Sequence, residues 1–136
     1  MRDYVIDRLE QLETDFAGPD APVRVASHYS ENSVLRDMTV DSPLVGRAAI
    51  EEALVPLFAA LTEFGYATTL VSDDGRTAVV EWVTTGRHTG SFSDEAPTGN
   101  LIEYRGVNLL TFDEQGLISE EICYWDSASL TRQITG

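Results

Sequence analysis

The residues best able to do chemistry close the last apolar stretch of the chain, Ile122-Cys123-Tyr124-Trp125-Asp126. A carboxylate at the end of an aromatic segment is unusual, because carboxylates are rarely buried without a partner. One that is buried has a tunable pKa, which makes Asp126 a candidate general acid or base. The competing reading is that Asp126 caps a helix starting at Ser127, since Asp is a strong N-cap residue. His88 is a second candidate acid or base, or else a rim histidine. Asp37 is either a second pocket carboxylate, dividing acid and base roles with the first, or half of a surface pair with Arg36 or Arg47.

Side chains alternate along a strand. Glu120, Ile122, Tyr124 and Asp126 therefore share one face of the last strand, and Glu121, Cys123 and Trp125 share the other. If Asp126 points into a pocket, Tyr124 and Ile122 point there too. On the preceding strand Tyr104, Gly106, Asn108, Leu110 and Phe112 share a face that Leu110 and Phe112 mark as the inner one. Asn108 is then a polar group in an apolar lining and needs a partner. Trp82 either walls the pocket or fills the core. The expected substrate contacts are Tyr124, Asn108, Trp82, Ile122, Phe112 and Tyr29.

These residues need elements to hold them. Val5, Ile6, Leu9, Leu12 and Phe16 have helical spacing, predicting a helix over Arg2 to Phe16. Gly18-Pro19-Asp20-Ala21-Pro22 breaks the chain. Val23 to Tyr29 reads as a short helix and Ser33 to Met38 as a short strand. Ala48 to Leu61 reads as a further helix, with Pro56 kinking or restarting it and Gly65 ending the region. From Tyr66 the period becomes two. Strands are expected over Tyr66 to Ser72, Thr77 to His88, Leu101 to Phe112 and Leu117 to Trp125. Asp73-Asp74-Gly75-Arg76 and Asp113-Glu114-Gln115-Gly116 are the hairpin turns, and Ser93 to Gly99 is a solvated loop. Helices first and strands after predict an α+β fold, one domain over residues 1–136, with helices packed on a curved antiparallel sheet.

The net charge is −14, and every basic residue is Arg. Nucleic-acid and anionic-membrane partners need a basic footprint that this chain lacks. A lysine-free acidic chain fits a salt-rich cytoplasm or a GC-rich genome. The N-terminus shows no apolar signal segment, and no run is long enough to span a bilayer, so a cytoplasmic location is expected. The single cysteine, Cys123, forms no internal disulfide and reads as a small hydrophobe. Two histidines without ligand spacing predict no metal site, and the absence of a glycine-rich phosphate loop leaves cofactor-free chemistry or binding alone.

Three stretches, His88-Thr89-Gly90-Ser91-Phe92, Ala96-Pro97-Thr98-Gly99-Asn100 and Glu103-Tyr104-Arg105-Gly106-Val107-Asn108, resemble the SnoaL-like polyketide cyclase family of the NTF2-like superfamily. So do the hairpin Phe112 to Ile118 and the ending Tyr124-Trp125-Asp126 with Leu130 and Gln133. The resemblance covers nearly the whole chain. It implies a cone-shaped α+β fold, an apolar pocket for a hydrophobic small molecule, and a homodimer formed through the sheet. It also puts Asp126 where the cyclases carry their acid/base carboxylate. The cyclases pair that aspartate with a histidine, for which this chain offers only His28 and His88. The expectation is a cofactor-free cyclase, isomerase or hydratase acting on a carbonyl or epoxide compound. The alternative is a non-catalytic ligand-binding or dimeric assembly module.

Overall fold

The computed structural model describes residues 2–92 and 94–135. Ser93, the first residue of the expected loop, lies outside the described residues. The chain runs α1 (Arg2–Ala17), α2 (Ala21–Ala26), β1 (Tyr29–Asp37), β2 (Leu44–Val45), α3 (Arg47–Ala60), β3 (Leu61–Asp73), β4 (Thr77–His88), β5 (Leu101–Phe112), β6 (Ile118–Trp125) and α4 (Ser127–Thr135).

Six strands form one sheet in the order β2-β1-β6-β5-β4-β3. Strands β3 to β6 are an antiparallel meander, but β1 pairs with β6 in parallel. The sheet is therefore mixed rather than wholly antiparallel. The helices follow their apolar stripes: Val5, Leu9 and Leu12 of α1 and Ile50 of α3 are buried in one cluster with Val80, Leu110 and Phe112 of the sheet. A second cluster joins Leu61, Trp82, Ile102 and Tyr104 to Leu130 and Ile134 of α4.

Several boundaries differ from expectation. The second helix stops at Ala26, and Tyr29 opens β1 instead of closing a helix. Pro56 does not interrupt α3, which runs unbroken past it to Ala60. Strand β3 then starts at Leu61 with no connecting residue. Gly65 ends nothing: it sits inside β3 at a register shift, where a Cβ would lie 2.6 Å from Thr85 Oγ1. No helix among the described residues is long and apolar enough to cross a membrane.

Candidate active site

One bulge decides what faces the interior. Phe112 pairs with Ile118, but Thr111, its neighbour, pairs with Glu120, so β6 carries an extra residue there. An extra residue reverses the alternation of a strand. Ile118 points inward and is 1 % exposed; past the bulge Glu121 points inward, at 6 %. The strand register then lays inward residues in rows. Glu121 lies between Leu35 and Leu110. Asp37, Cys123, Asn108 and Val80 form the next row, and Trp125, Gly106 and Trp82 the one after.

These rows and the facing helices line a half-open cavity of about 290 Å³ whose lining is mainly apolar. Glu121 is its buried carboxylate. Tyr29 Oη donates to Glu121 Oε1 at 2.5 Å, and Asn108 Nδ2 donates to Oε2 at 3.3 Å. Asn108 is itself oriented, because Trp82 Nε1 donates to its Oδ1 at 2.9 Å. That bond fixes which end of the amide faces the carboxylate. Gly106 makes room for it: a Cβ there would lie 2.4 Å from Trp82 Cζ2. Asp37, at the end of β1, accepts from Trp125 Nε1 at 3.0 and 3.1 Å and from the Thr39 backbone and hydroxyl.

Burial dominates the electrostatics. It pushes Glu121 up from the usual 4.5 to about 7, with the Tyr29 hydrogen bond pulling the other way and the Asp37 charge adding to the rise. Near neutrality Glu121 therefore populates both protonation states, the condition for giving and taking protons. Burial, then the Glu121 charge, holds the Tyr29 and Tyr66 phenols well above their usual value. Burial raises Tyr104 too, partly offset by its hydrogen bond with Thr84. The three phenols keep their protons at neutral pH and are donors. Burial also raises the Cys123 thiol, which leaves it a poor nucleophile.

Of the residues singled out from the sequence, Asp37, Asn108, Trp82 and Tyr29 meet on this cavity. The other five do not line it. Asp126 is exposed on the far side of the sheet, where its Oδ1 accepts from Ser129 N at 3.0 Å and caps α4. Tyr124 is 49 % exposed, and Ile122 shares its outward face. The bulge is the physical cause: unbroken alternation from Ile118 would have turned all three inward. Phe112 points inward but is buried in the core against Tyr4. His88 is fully buried outside the cavity lining; its Nδ1 accepts from Thr98 N at 3.2 Å, so the ring anchors the 98–100 segment. His28 does not reach the cavity either: its Nε2 meets Asp15 Oδ2 at 2.6 Å, and its Nδ1 meets Arg8 Nη1 at 3.0 Å. Among the described residues no metal-ligating cluster comes together.

Glu121 is the residue that sequence reasoning passed over. A signal existed. Glu120 and Glu121 are adjacent, so one of them must share a face with Cys123 and Trp125. The more apolar of the two faces was the one to choose.

The chain matches the SnoaL-like polyketide cyclase family over residues 8–134. No curated protein matches it. Solved structures share the fold at low identity. A Jannaschia sp. CCS1 protein assigned to the SnoaL-like polyketide cyclases is 16 % identical, with TM-score 0.85 over 98 % of this chain and 93 % of its own. TsrD from Streptomyces laurentii is 17 % identical, with TM-score 0.83 over 99 % and 97 %. A Catenulispora acidiphila protein of ketosteroid isomerase-like fold, crystallised with trimethylamine, is 15 % identical, with TM-score 0.77 over 94 % and 92 %. Identity this low carries the fold and leaves the chemistry to the residues.

Proposed function

The chain belongs to the SnoaL-like polyketide cyclase family, and from that premise we propose that it is an enzyme that moves a proton on a small hydrophobic carbonyl compound, with Glu121 as general base and acid. One observation carries this reading: a carboxylate on the wall of an apolar cavity, raised by burial to about 7. In the ionised form Glu121 takes a proton from the carbon beside the carbonyl. The electron pair moves onto the carbonyl oxygen, which accepts a hydrogen bond from a protonated phenol, Tyr66 or Tyr104. Protonated Glu121 then returns the proton at the same or another carbon, or the enolate carbon attacks a second carbonyl and closes a ring, and the alkoxide left on that oxygen takes the proton back from Glu121. Asp37, held by Trp125, is the second carboxylate available to the same ligand. The acid/base role expected of Asp126 passes to this pair, because Asp126 faces away from the cavity. A cytoplasmic homodimer, formed through the outer sheet face that exposes Tyr124, belongs to the same proposal; a sedimentation mass of one chain at high concentration argues against it.

The test needs no natural substrate. The protein is incubated with 1-tetralone in deuterated buffer, and deuterium uptake beside the carbonyl is followed by NMR. Uptake should be accelerated by the wild type and fall by about 10² or more in Glu121→Gln. Equal uptake by a folded Glu121→Gln protein overturns the role.

One observation favours a second reading. Both Glu121 oxygens already accept hydrogen bonds, which suits a structural polar anchor in a binding module. A wild type that binds 1-tetralone and exchanges no deuterium supports that alternative.

A further inference from the structure

We infer that the ligand of this cavity carries a positive charge, as a small protonated amine or quaternary ammonium compound held against aromatic walls by Asp37 and Glu121. The inference rests on the reading that the cavity is the substrate site, and it adds the charge and size of what enters.

The first argument is the inventory of charge. Asp37 and Glu121 are the only charged side chains among the described residues lining the cavity; no Arg or His faces it, and the chain has no Lys. The titratable groups acting on Glu121 and its neighbours are Glu13 of α1, Tyr29 and Asp37 of β1, Tyr66 of β3, Tyr104 of β5 and Cys123 of β6. Each is neutral or negative, whichever element it comes from. Nothing in the lining offers a counter-charge to a carboxylate or phosphate, and a buried anion without one is costly. A cation meets the opposite situation, with one buried and one half-buried carboxylate already on the wall of an apolar cavity.

The second argument is the shape of the walls. Trp82 and Tyr104 stand at 89° with centroids 5.8 Å apart, and Trp125 closes on Tyr104 at 5.3 Å. Rings set at large angles to one another present faces as well as edges to the cavity. Aromatic faces attract ammonium groups, Trp most strongly. The third argument is long-range: a net charge of −14 raises the local concentration of cations and repels anions.

Volume sets the size. At about 30 Å³ for each water-sized group, 290 Å³ holds on the order of ten non-hydrogen atoms, one substituted ring or a small bicycle of the size of 1-tetralone rather than a larger fused system. Glu121 also gives the affinity a pH dependence. A bound cation replaces the proton that burial keeps on the carboxyl, so binding releases a proton and tightens as pH rises toward 8.

The experiment uses three probes of one shape: phenyltrimethylammonium, tert-butylbenzene and phenyltrifluoroborate, with charges of plus one, zero and minus one. Trp82 and Trp125 are the only tryptophans of the chain and both line the cavity, so intrinsic fluorescence reads occupancy. At pH 8 the cation should bind about 100-fold more tightly than the anion. Asp37→Asn and Glu121→Gln should each weaken the cation about tenfold and leave tert-butylbenzene within about twofold, which also shows that the cavity has survived. In the wild type the cation should bind more tightly at pH 8 than at pH 6. Anion binding as tight as cation binding overturns the inference, as does a cation affinity that ignores pH or both substitutions. If tert-butylbenzene still binds in those cases, the cavity remains a hydrophobic substrate site. If none of the three probes binds the wild type, the substrate-site reading falls as well.

Discussion

Replacing Glu121 with Gln should make the protein gain stability, relative to wild type, as the pH rises. Glu121 is 6 % exposed, and its folded-state value of about 7 stands above the usual 4.5. For a carboxyl raised on folding, the native state holds the extra proton between those two values. Stability therefore falls with rising pH through that window, by about 1.4 kcal/mol per pH unit. Below about 4.5 both states are protonated and nothing is lost; above about 7 the whole penalty is in place, about 3 kcal/mol. Gln does not titrate. The difference in unfolding free energy, variant minus wild type, should thus grow by about 2 to 3 kcal/mol between pH 5 and pH 8. A constant offset is expected as well, since a Gln amide facing the Asn108 amide loses the bond to Oε2. The pH slope is free of that offset. Urea melts at pH 5, 6, 7 and 8 on both proteins give the answer. Parallel curves would show that Glu121 titrates alike in the folded and unfolded chains, and the burial argument would be wrong.

Trp82→Phe removes the donor that orients Asn108 and should cost about 1 to 3 kcal/mol in urea melts, while shifting the acidic limb of the deuterium-exchange profile. A profile identical to wild type means that Asn108 is oriented by something else. Gly106→Ala places a methyl 2.4 Å from Trp82 Cζ2 and 2.6 Å from the Tyr124 carbonyl, and should destabilise by about 1 to 3 kcal/mol with altered tryptophan fluorescence. Asp126→Ala should cost about 1 kcal/mol through the lost α4 cap and leave 1-tetralone exchange unchanged. Loss of exchange in that variant would return Asp126 to the chemistry.

The elements that could be read from the sequence were those whose signals are local. Strands β4 and β5 and the two hairpins announce themselves by period-two patterns and Asp/Gly turns, and α1 by its apolar stripe. Strand β3 reads shorter in the sequence than it is, because nothing marks where helix becomes strand between Ala60 and Leu61. The face grouping of the last strand was legible, but which face lies inside was not. That choice depends on the bulge opposite Thr111, and no residue type demands a bulge there. The parallel pairing of β1 with β6 was hidden too, because it joins segments far apart in sequence. Asp37 and Trp125 are each visible as candidates; their meeting is a property of that pairing.

That pairing also dictates when the site comes into being. Tyr29 meets Glu121 across 92 positions, and Trp125 meets Asp37 across 88. Closing a loop of that length costs about 4 kcal/mol of chain entropy before the contact returns anything. The β3–β6 meander, joined by neighbouring-strand contacts, has no such toll and can form first. On the ribosome β1 emerges well before β6 and must wait for it. During that interval its unpaired edge is open to wrong partners. The hydrogen-bonded network around Glu121 and Asp37 is thus a late product of folding, assembled only once β1 and β6 have met.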